Sequence, residues 1–212
     1  MEKVTLALAK GRLSEKAMGL MARAGIRSKE FDELGRKLVF EDDSGAYRFI
    51  LVKPSDVPTY VDHGVADVGI VGKDTLMEEN RPLYELLDFG FGACRMCVCG
   101  FEGRRPPVGA PLRVATKYPR IARAYYGEKG QNIQIIKLNG SVELGPLVGL
   151  SDVIVDIVES GGTLKANGLA VLEEVAPLSA RLVVNRVSMK TKTEKIQRLI
   201  EGFKQALKED EA

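Results

Sequence analysis

The residues with the richest chemistry run Asp156-Ile157-Val158-Glu159-Ser160-Gly161-Gly162-Thr163-Leu164. An apolar stretch ends in two carboxylates, then a Ser-Gly-Gly-Thr turn, then a helical start at Leu164. Glycines let backbone N–H groups crowd round a phosphate. Ser160 and Thr163 add hydroxyl donors, and a helix N-terminus adds partial positive charge. Carboxylates just ahead of such a loop suit a ribose diol. The combination points to a ribose 5-phosphate group. The same residues also read as an ordinary strand-to-helix turn with a Gly-Gly hinge. No Walker A motif and no Gly-x-Gly-x-x-Gly fingerprint accompanies them.

A second set of residues carries positive charge to the ends of apolar runs. Ala9-Lys10-Gly11-Arg12-Leu13 places two cations between the first strand and the first helix, a setting that suits an anion. Val52-Lys53-Pro54-Ser55-Asp56 repeats the pattern, and so does Gly69-Ile70-Val71-Gly72-Lys73-Asp74. Each segment alone also reads as a solvated turn. Together they place cations at strand carboxyl ends, where open α/β sheets bind ligands. That points to a small polyanion rather than a polymer.

Other chemistries are disfavoured. The chain has 212 residues, with Lys plus Arg 31, Asp plus Glu 29 and a net charge of +2. Such a balance gives no electrostatic footprint for nucleic acid. One His, His63, argues against a Ser-His-Asp triad and a multi-His metal site. It precedes Gly64 at an expected helix end and reads as a C-cap. Cys94-Arg95-Met96-Cys97 is formally Cys-x-x-Cys, but on a strand residues 94 and 97 point to opposite faces. With Cys99 they read as buried packing residues rather than a zinc or redox pair. No signal peptide and no run of about 18 apolar residues is evident. A cytoplasmic protein is expected, without contact with a membrane.

The elements that must position these residues alternate short apolar runs with amphipathic stretches, an α/β pattern. Strands are expected at Val4–Leu8, Lys37–Phe40, Tyr47–Val52, Asp67–Val71, Cys94–Cys99, Arg113–Ala115, Ile133–Leu138, Asp152–Val158 and Arg181–Asn185. Asp152–Val158 reads as a strand buried on both faces of a parallel sheet. Ser14 is expected to cap a helix ending near Ala24, with Gly25 as its stop. Asp56 and Asp74 are expected to cap two short helices, and another starts near Pro119. Thr191-x-x-Glu194 reads as a capping box for a helix to about Lys208, with a frayed tail at Lys208–Glu211. The Pro-rich loop at 103–111 is the one candidate boundary.

The order of several segments resembles the ATP phosphoribosyltransferase family. They are Ala9–Leu13, Pro54–Pro58, Ala66–Gly72, Leu87–Gly90, Cys94-Arg95, Ala115–Pro119, Leu138-Asn139-Gly140-Ser141-Val142-Glu143 and Asp156–Leu169. The resemblance covers nearly the whole chain. It implies transfer of phosphoribosyl from phosphoribosyl pyrophosphate to N1 of ATP, releasing pyrophosphate, as the first step of histidine biosynthesis. It implies a type II periplasmic-binding-protein-like α/β fold with mixed sheets, two lobes and a cleft. Lobe one would be 1–90 plus 177–212 and lobe two 91–176, with crossing strands around Asp88–Cys97 and Ala176–Val184.

By the same resemblance Asp156, Glu159, Ser160, Gly161, Gly162, Thr163 and Leu164 would bind phosphoribosyl pyrophosphate. Lys10, Gly11, Arg12 and Asp74 would bind ATP. Lys53, Arg95 and Glu143 would act in catalysis, with Lys53 standing where many family members carry Arg, so the charge is kept and the bidentate fork lost. Mg²⁺ would arrive with substrate rather than in a protein cage. The length is similar to that of the short form without a regulatory domain. The implied partners are a second copy and a regulatory subunit similar to histidyl-tRNA synthetase. A cytoplasmic small-molecule binding or sensor protein on the same fold is the alternative.

Overall fold

The computed structural model describes residues 3–31, 37–104 and 109–210. The chain divides into two compact units, one of Met1–Gly92 with Ser179–Ala212 and one of Ala93–Leu178. It leaves the first unit once and returns once.

The first unit is built on β1 (Val4–Ala9), β2 (Val39–Glu41), β3 (Tyr47–Val52), β4 (Val68–Gly72), β5 (Tyr84–Asp88) and β11 (Ala180–Val184). Their order is β2-β3-β1-β4-β11-β5. β1 runs parallel to β3 and β4, while β11 pairs antiparallel with β4 and β5. Alternation along β1 explains the apolar run of its residues 6–9. Leu6 and Leu8 join Met21, Phe49 and Phe203 on one face, under α1 (Arg12–Arg23) and α8 (Thr193–Asp210). Ala7 and Ala9 face Val57 and Val61 of α2 (Val57–Asp62) on the other. A strand covered on both faces has no use for polar residues. Gly69 of β4 is where α2 comes closest: a Cβ there would lie 2.8 Å from methyls of Val57 and Val61.

The second unit has β6 (Cys94–Gly100), β7 (Leu112–Thr116), β8 (Ile133–Lys137), β9 (Val153–Val158) and β10 (Ala170–Leu178), in the order β10-β6-β9-β7-β8. β9 is parallel to β7 but antiparallel to β6, so the buried strand expected in a parallel sheet lies in a mixed one. Cys97, Cys99, Ile154 and Val158 share one face with Val142, Leu164 and Leu169. α4 (Pro119–Glu128) packs on β7 and β8.

Several local expectations need correction. Gly11, at φ +106°, takes the N-cap position of α1, and the Ser14 hydroxyl instead donates to the Gly11 carbonyl at 2.7 Å. Asp56 and Asp74 make no side-chain cap. Asp56 ends a 3-10 turn at Pro54–Asp56, and Asp74 lies inside α3 (Lys73–Glu79). Thr191 closes a separate short helix, α7 (Ser188–Thr191), before α8 begins at Thr193. The N-cap of α7 is Val187, and Asn185, two residues before it, accepts through Oδ1 from the N–H groups of Val187 and Ser188 at 2.8 and 2.9 Å. α8 continues to Asp210 rather than fraying at Lys208; Glu211 lies outside the described residues. Each crossing segment is two strands in different sheets, β5 then β6, and β10 then β11. The chain passes between units at 92/93 and 178/179, not in the Pro-rich loop, whose residues 105–108 lie outside the described residues.

Candidate active site

A pocket of about 260 Å³ opens in the second unit, at the carboxyl end of β9. It is lined by Glu143, Asp156, Glu159, Ser160, Gly161, Gly162, Thr163 and Leu164, with Cys99, Ile154 and Ile157 beside them. All seven residues expected to bind phosphoribosyl pyrophosphate therefore meet Glu143 in one place.

The loop's geometry follows from its glycines. Gly161 adopts φ +76°, a left-handed conformation that disfavours any Cβ. It turns the chain off β9 into α6 (Gly162–Ala166). The helix starts at Gly162, two residues before the expected Leu164, and spans only five residues. So short a helix has little macrodipole, and any anion would be held by its first N–H groups, which have no acceptor within the helix. Ser160 Oγ accepts from the Gly162 N–H at 3.4 Å, and Asn167 Nδ2 donates to the Thr163 carbonyl at 2.8 Å. Leu164 is buried and anchors the loop to the core while Thr163 and Gly162 stay exposed.

Glu143 reaches the pocket through an unusual backbone. Ser141 holds φ +47°, and Glu143 is the N-cap residue of α5 (Leu144–Leu147). Val142 and Gly145 are buried on either side, and a Cβ on Gly145 would come 2.9 Å from Ala115 Cβ. Thr116, fully buried, donates to the Val155 carbonyl at 2.6 Å and accepts from the Tyr118 N–H at 2.8 Å. That hydroxyl fixes β9 one residue before Asp156.

The floor of the pocket includes Cys99, which sequence reasoning assigned to packing alone. Cys97 and Cys99 are buried, Cys94 is partly exposed, and none of the three forms a disulfide. Burial pushes the Cys99 thiol up to about 12, helped by Cys97, Asp156 and Glu143. No local signal marks Cys99 as a pocket residue, because its place depends on the pairing with Ile154 across β6 and β9. Arg95 pairs with Val158, the last residue of β9 before the loop, and donates through Nη1 to Glu174 Oε2 at 3.0 Å. It does not line the pocket.

The remaining expected residues lie in the first unit. Lys10 follows β1 and Lys53 follows β3, which are neighbours in the sheet; the Lys10 N–H donates to the Val52 carbonyl at 2.9 Å. Lys10, Gly11, Arg12 and Lys53 are exposed. Asp74 stands one residue beyond Lys73, just after β4. Three adjacent parallel strands thus present cations at their carboxyl ends. Lys73 is already paired, with Glu85 at 2.6 Å. His63 is the exposed C-cap of α2. Among the described residues, no group of three or more His, Cys, Asp and Glu side chains could hold a metal ion, and no helix is long and apolar enough to cross a membrane.

The two mixed sheets with helices are of the type II periplasmic-binding-protein class. A periplasmic aliphatic sulphonate binding protein, SsuA from Escherichia coli, shares that fold with a TM-score of 0.56 at 12% identity, over 98% of this chain and 73% of its own. Residues 53–205 match the HisG family model, described as ATP phosphoribosyltransferase. The chain belongs to the ATP phosphoribosyltransferase family. It is 58% identical over 208 residues to the ATP phosphoribosyltransferase of Lachnospira eligens, covering 96% of each chain. It is 54% identical to that of Lachnoclostridium phytofermentans, over 99% of each. A solved ATP phosphoribosyl transferase (HisG:HisZ) complex from Thermotoga maritima contains a chain with TM-score 0.87 and 38% identity, over 99% of this chain and 100% of its own.

Proposed function

We propose that this protein transfers phosphoribosyl from phosphoribosyl pyrophosphate to N1 of ATP, releasing pyrophosphate, as the first step of histidine biosynthesis in the cytoplasm. The observation that carries the reading is a pocket uniting two acids, a Ser-Gly-Gly-Thr loop and Glu143. Ser160 to Thr163 hold the 5-phosphate through backbone N–H and hydroxyl groups, and Asp156 and Glu159 face the ribose. Lys10, Gly11, Arg12 and Asp74 take ATP at the strand ends of the first unit.

Adenine N1 bonds to the anomeric carbon as the bond to pyrophosphate breaks, with inversion. Positive charge grows on the ribose and negative charge on the leaving group. Lys53 and Arg95 neutralise the departing pyrophosphate, and the carboxylate of Glu143 stands beside the ribose where positive charge develops. No protein nucleophile is required. The carboxylates of Asp156 and Glu159 are hard oxygen donors that fit Mg²⁺. When bound with substrate, Mg²⁺ supplies charge neutralisation at the pyrophosphate.

We take the chain as the short form, because the matched relatives are themselves covered over 96–99% of their length. A regulatory subunit similar to histidyl-tRNA synthetase and a second copy of this chain are its proposed partners. The test mixes the protein and that subunit with ATP, phosphoribosyl pyrophosphate and Mg²⁺ and follows the ultraviolet absorbance of the adduct. A silent assay with folded components sinks the reading. Lys53→Ala is expected to lower kcat through slower pyrophosphate departure; an unchanged kcat with weaker ATP binding moves Lys53 to the ATP site.

A further inference from the structure

We propose that Glu174 is a positioning residue that holds the Arg95 guanidinium beside the phosphoribosyl loop and competes with substrate phosphate oxygens for it. The proposal rests on the assignment of Arg95 to the pyrophosphate given above.

The sheet brings the pair together. β6 lies between β9 and β10, and its register sets Arg95 opposite Val158, and Cys97 opposite both Asp156 and Glu174. Directly opposed residues of antiparallel strands share a face. Arg95, Asp156 and Glu174 therefore stand on the face that carries Cys99 and Ile154, the floor of the pocket. The β10 register shifts between Glu174 and Ala176. A bulge of this kind re-aims a side chain and is a built feature of a strand. Beside it, Glu174 Oε2 accepts from Arg95 Nη1 at 3.0 Å.

The pair is suited to exchange. Its side chains are 45% and 47% exposed, so neither charge is locked in by burial. An exposed ion pair is worth little, whereas Arg binds phosphate oxygens through a two-pronged, charge-assisted fork. Glu174 thus keeps the guanidinium ordered at the strand end, and the incoming anion must displace it. A pair serving only to fasten β10 to β6 has no such consequence for ligand affinity.

The experiment titrates phosphoribosyl pyrophosphate with Mg²⁺ into the full chain by calorimetry, for the native protein, Glu174→Gln, Arg95→Ala and the double variant. Glu174→Gln keeps the shape and removes the charge, and is expected to bind about two- to fivefold more tightly. In the Arg95→Ala background the same change is expected to have no effect. Unchanged or weaker binding by Glu174→Gln overturns the proposal. So does a gain that persists without Arg95, since that reflects general charge rather than competition. Native affinity in Arg95→Ala instead overturns the placement of Arg95 at the pyrophosphate, which is a distinguishable failure.

Discussion

At the scale of single residues, Gly161 and Gly162 do different work although they are adjacent. Gly161 sits at φ +76°, whereas Gly162 has no unusual φ, and a Cβ there would only touch Ser160 Oγ at 3.6 Å. Gly161→Ala is therefore expected to cost about 1 kcal/mol of stability from the left-handed backbone. Gly162→Ala is expected to leave the urea midpoint unchanged and to raise KM for phosphoribosyl pyrophosphate about tenfold or more, the worth of ~1.4 kcal/mol of lost binding. Normal kinetics in Gly162→Ala removes the loop from the binding site. Cys99 gives a second residue-scale test. Its thiol stays protonated in the fold up to about 12, against an ordinary value of 9.0, because burial disfavours the thiolate. The contribution to stability is present below pH 9 and is lost as pH rises toward 12, since only the unfolded chain ionises over that window. Cys99→Ala should flatten the alkaline fall in stability measured by urea denaturation; an unchanged slope assigns the fall to other groups.

At the scale of elements, Asp67 shows how a motif residue can be structural. It is 5% exposed just before β4, and its carboxylate accepts from the Thr5 N–H at 2.8 Å, Ser188 Oγ at 2.6 Å and Lys192 Nζ at 2.9 Å. One side chain so ties β1, the α7 helix and the approach to α8 to the middle of the sheet. Removing one partner of a buried ion pair strands the other, so Asp67→Ala is expected to cost about 3–5 kcal/mol in urea. Ser188→Ala, which removes one hydroxyl, is expected to cost about 1 kcal/mol. A stable Asp67→Ala protein that loses only activity contradicts this role. Elements of this kind mark what local patterns convey. β1, β3 and β9 are legible because burial on one or both faces dictates their apolar runs. The caps are less so: Ser14 and Thr191 are suitable residue types, yet Gly11 holds the N-cap position of α1 and Thr191 ends α7, whose first N–H groups are taken by Asn185 from outside the helix. Asp156 to Leu164 could be seen as a candidate cradle because its chemistry is contiguous. Cys99 and Glu174 could not, because antiparallel pairing of β6 with β9 and β10 sets Cys99 opposite Ile154 and Cys97 opposite Glu174, residues far apart in the chain, and leaves no local trace.

At the scale of the whole molecule, the first unit is made from both ends of the chain. β11 returns after the whole second unit and inserts between β4 and β5, so the sheet that carries Lys10 and Lys53 is complete only when residues 179–184 are in place. The α8 helix then covers it with Phe203, fully buried and edge-on to Phe89 at 5.4 Å. No contiguous stretch of sequence announces that arrangement, because a strand's partner is chosen by the fold and not by its own pattern. The same scale governs regulation. The relatives are matched over 96–99% of their length, and the matched Thermotoga maritima chain comes from a HisG:HisZ complex. A catalyst of this form, with its strand-end cations and its Ser-Gly-Gly-Thr loop on separate units, is expected to turn over weakly by itself. Addition of the regulatory subunit is expected to raise kcat, and histidine is expected to inhibit only the mixture. The check is one titration: adduct absorbance is followed as the subunit is added to a fixed amount of this chain, with and without histidine. Full activity and full histidine inhibition in the chain alone overturn the dependence on a partner, while activity that rises to a plateau at a fixed ratio of the two chains establishes it.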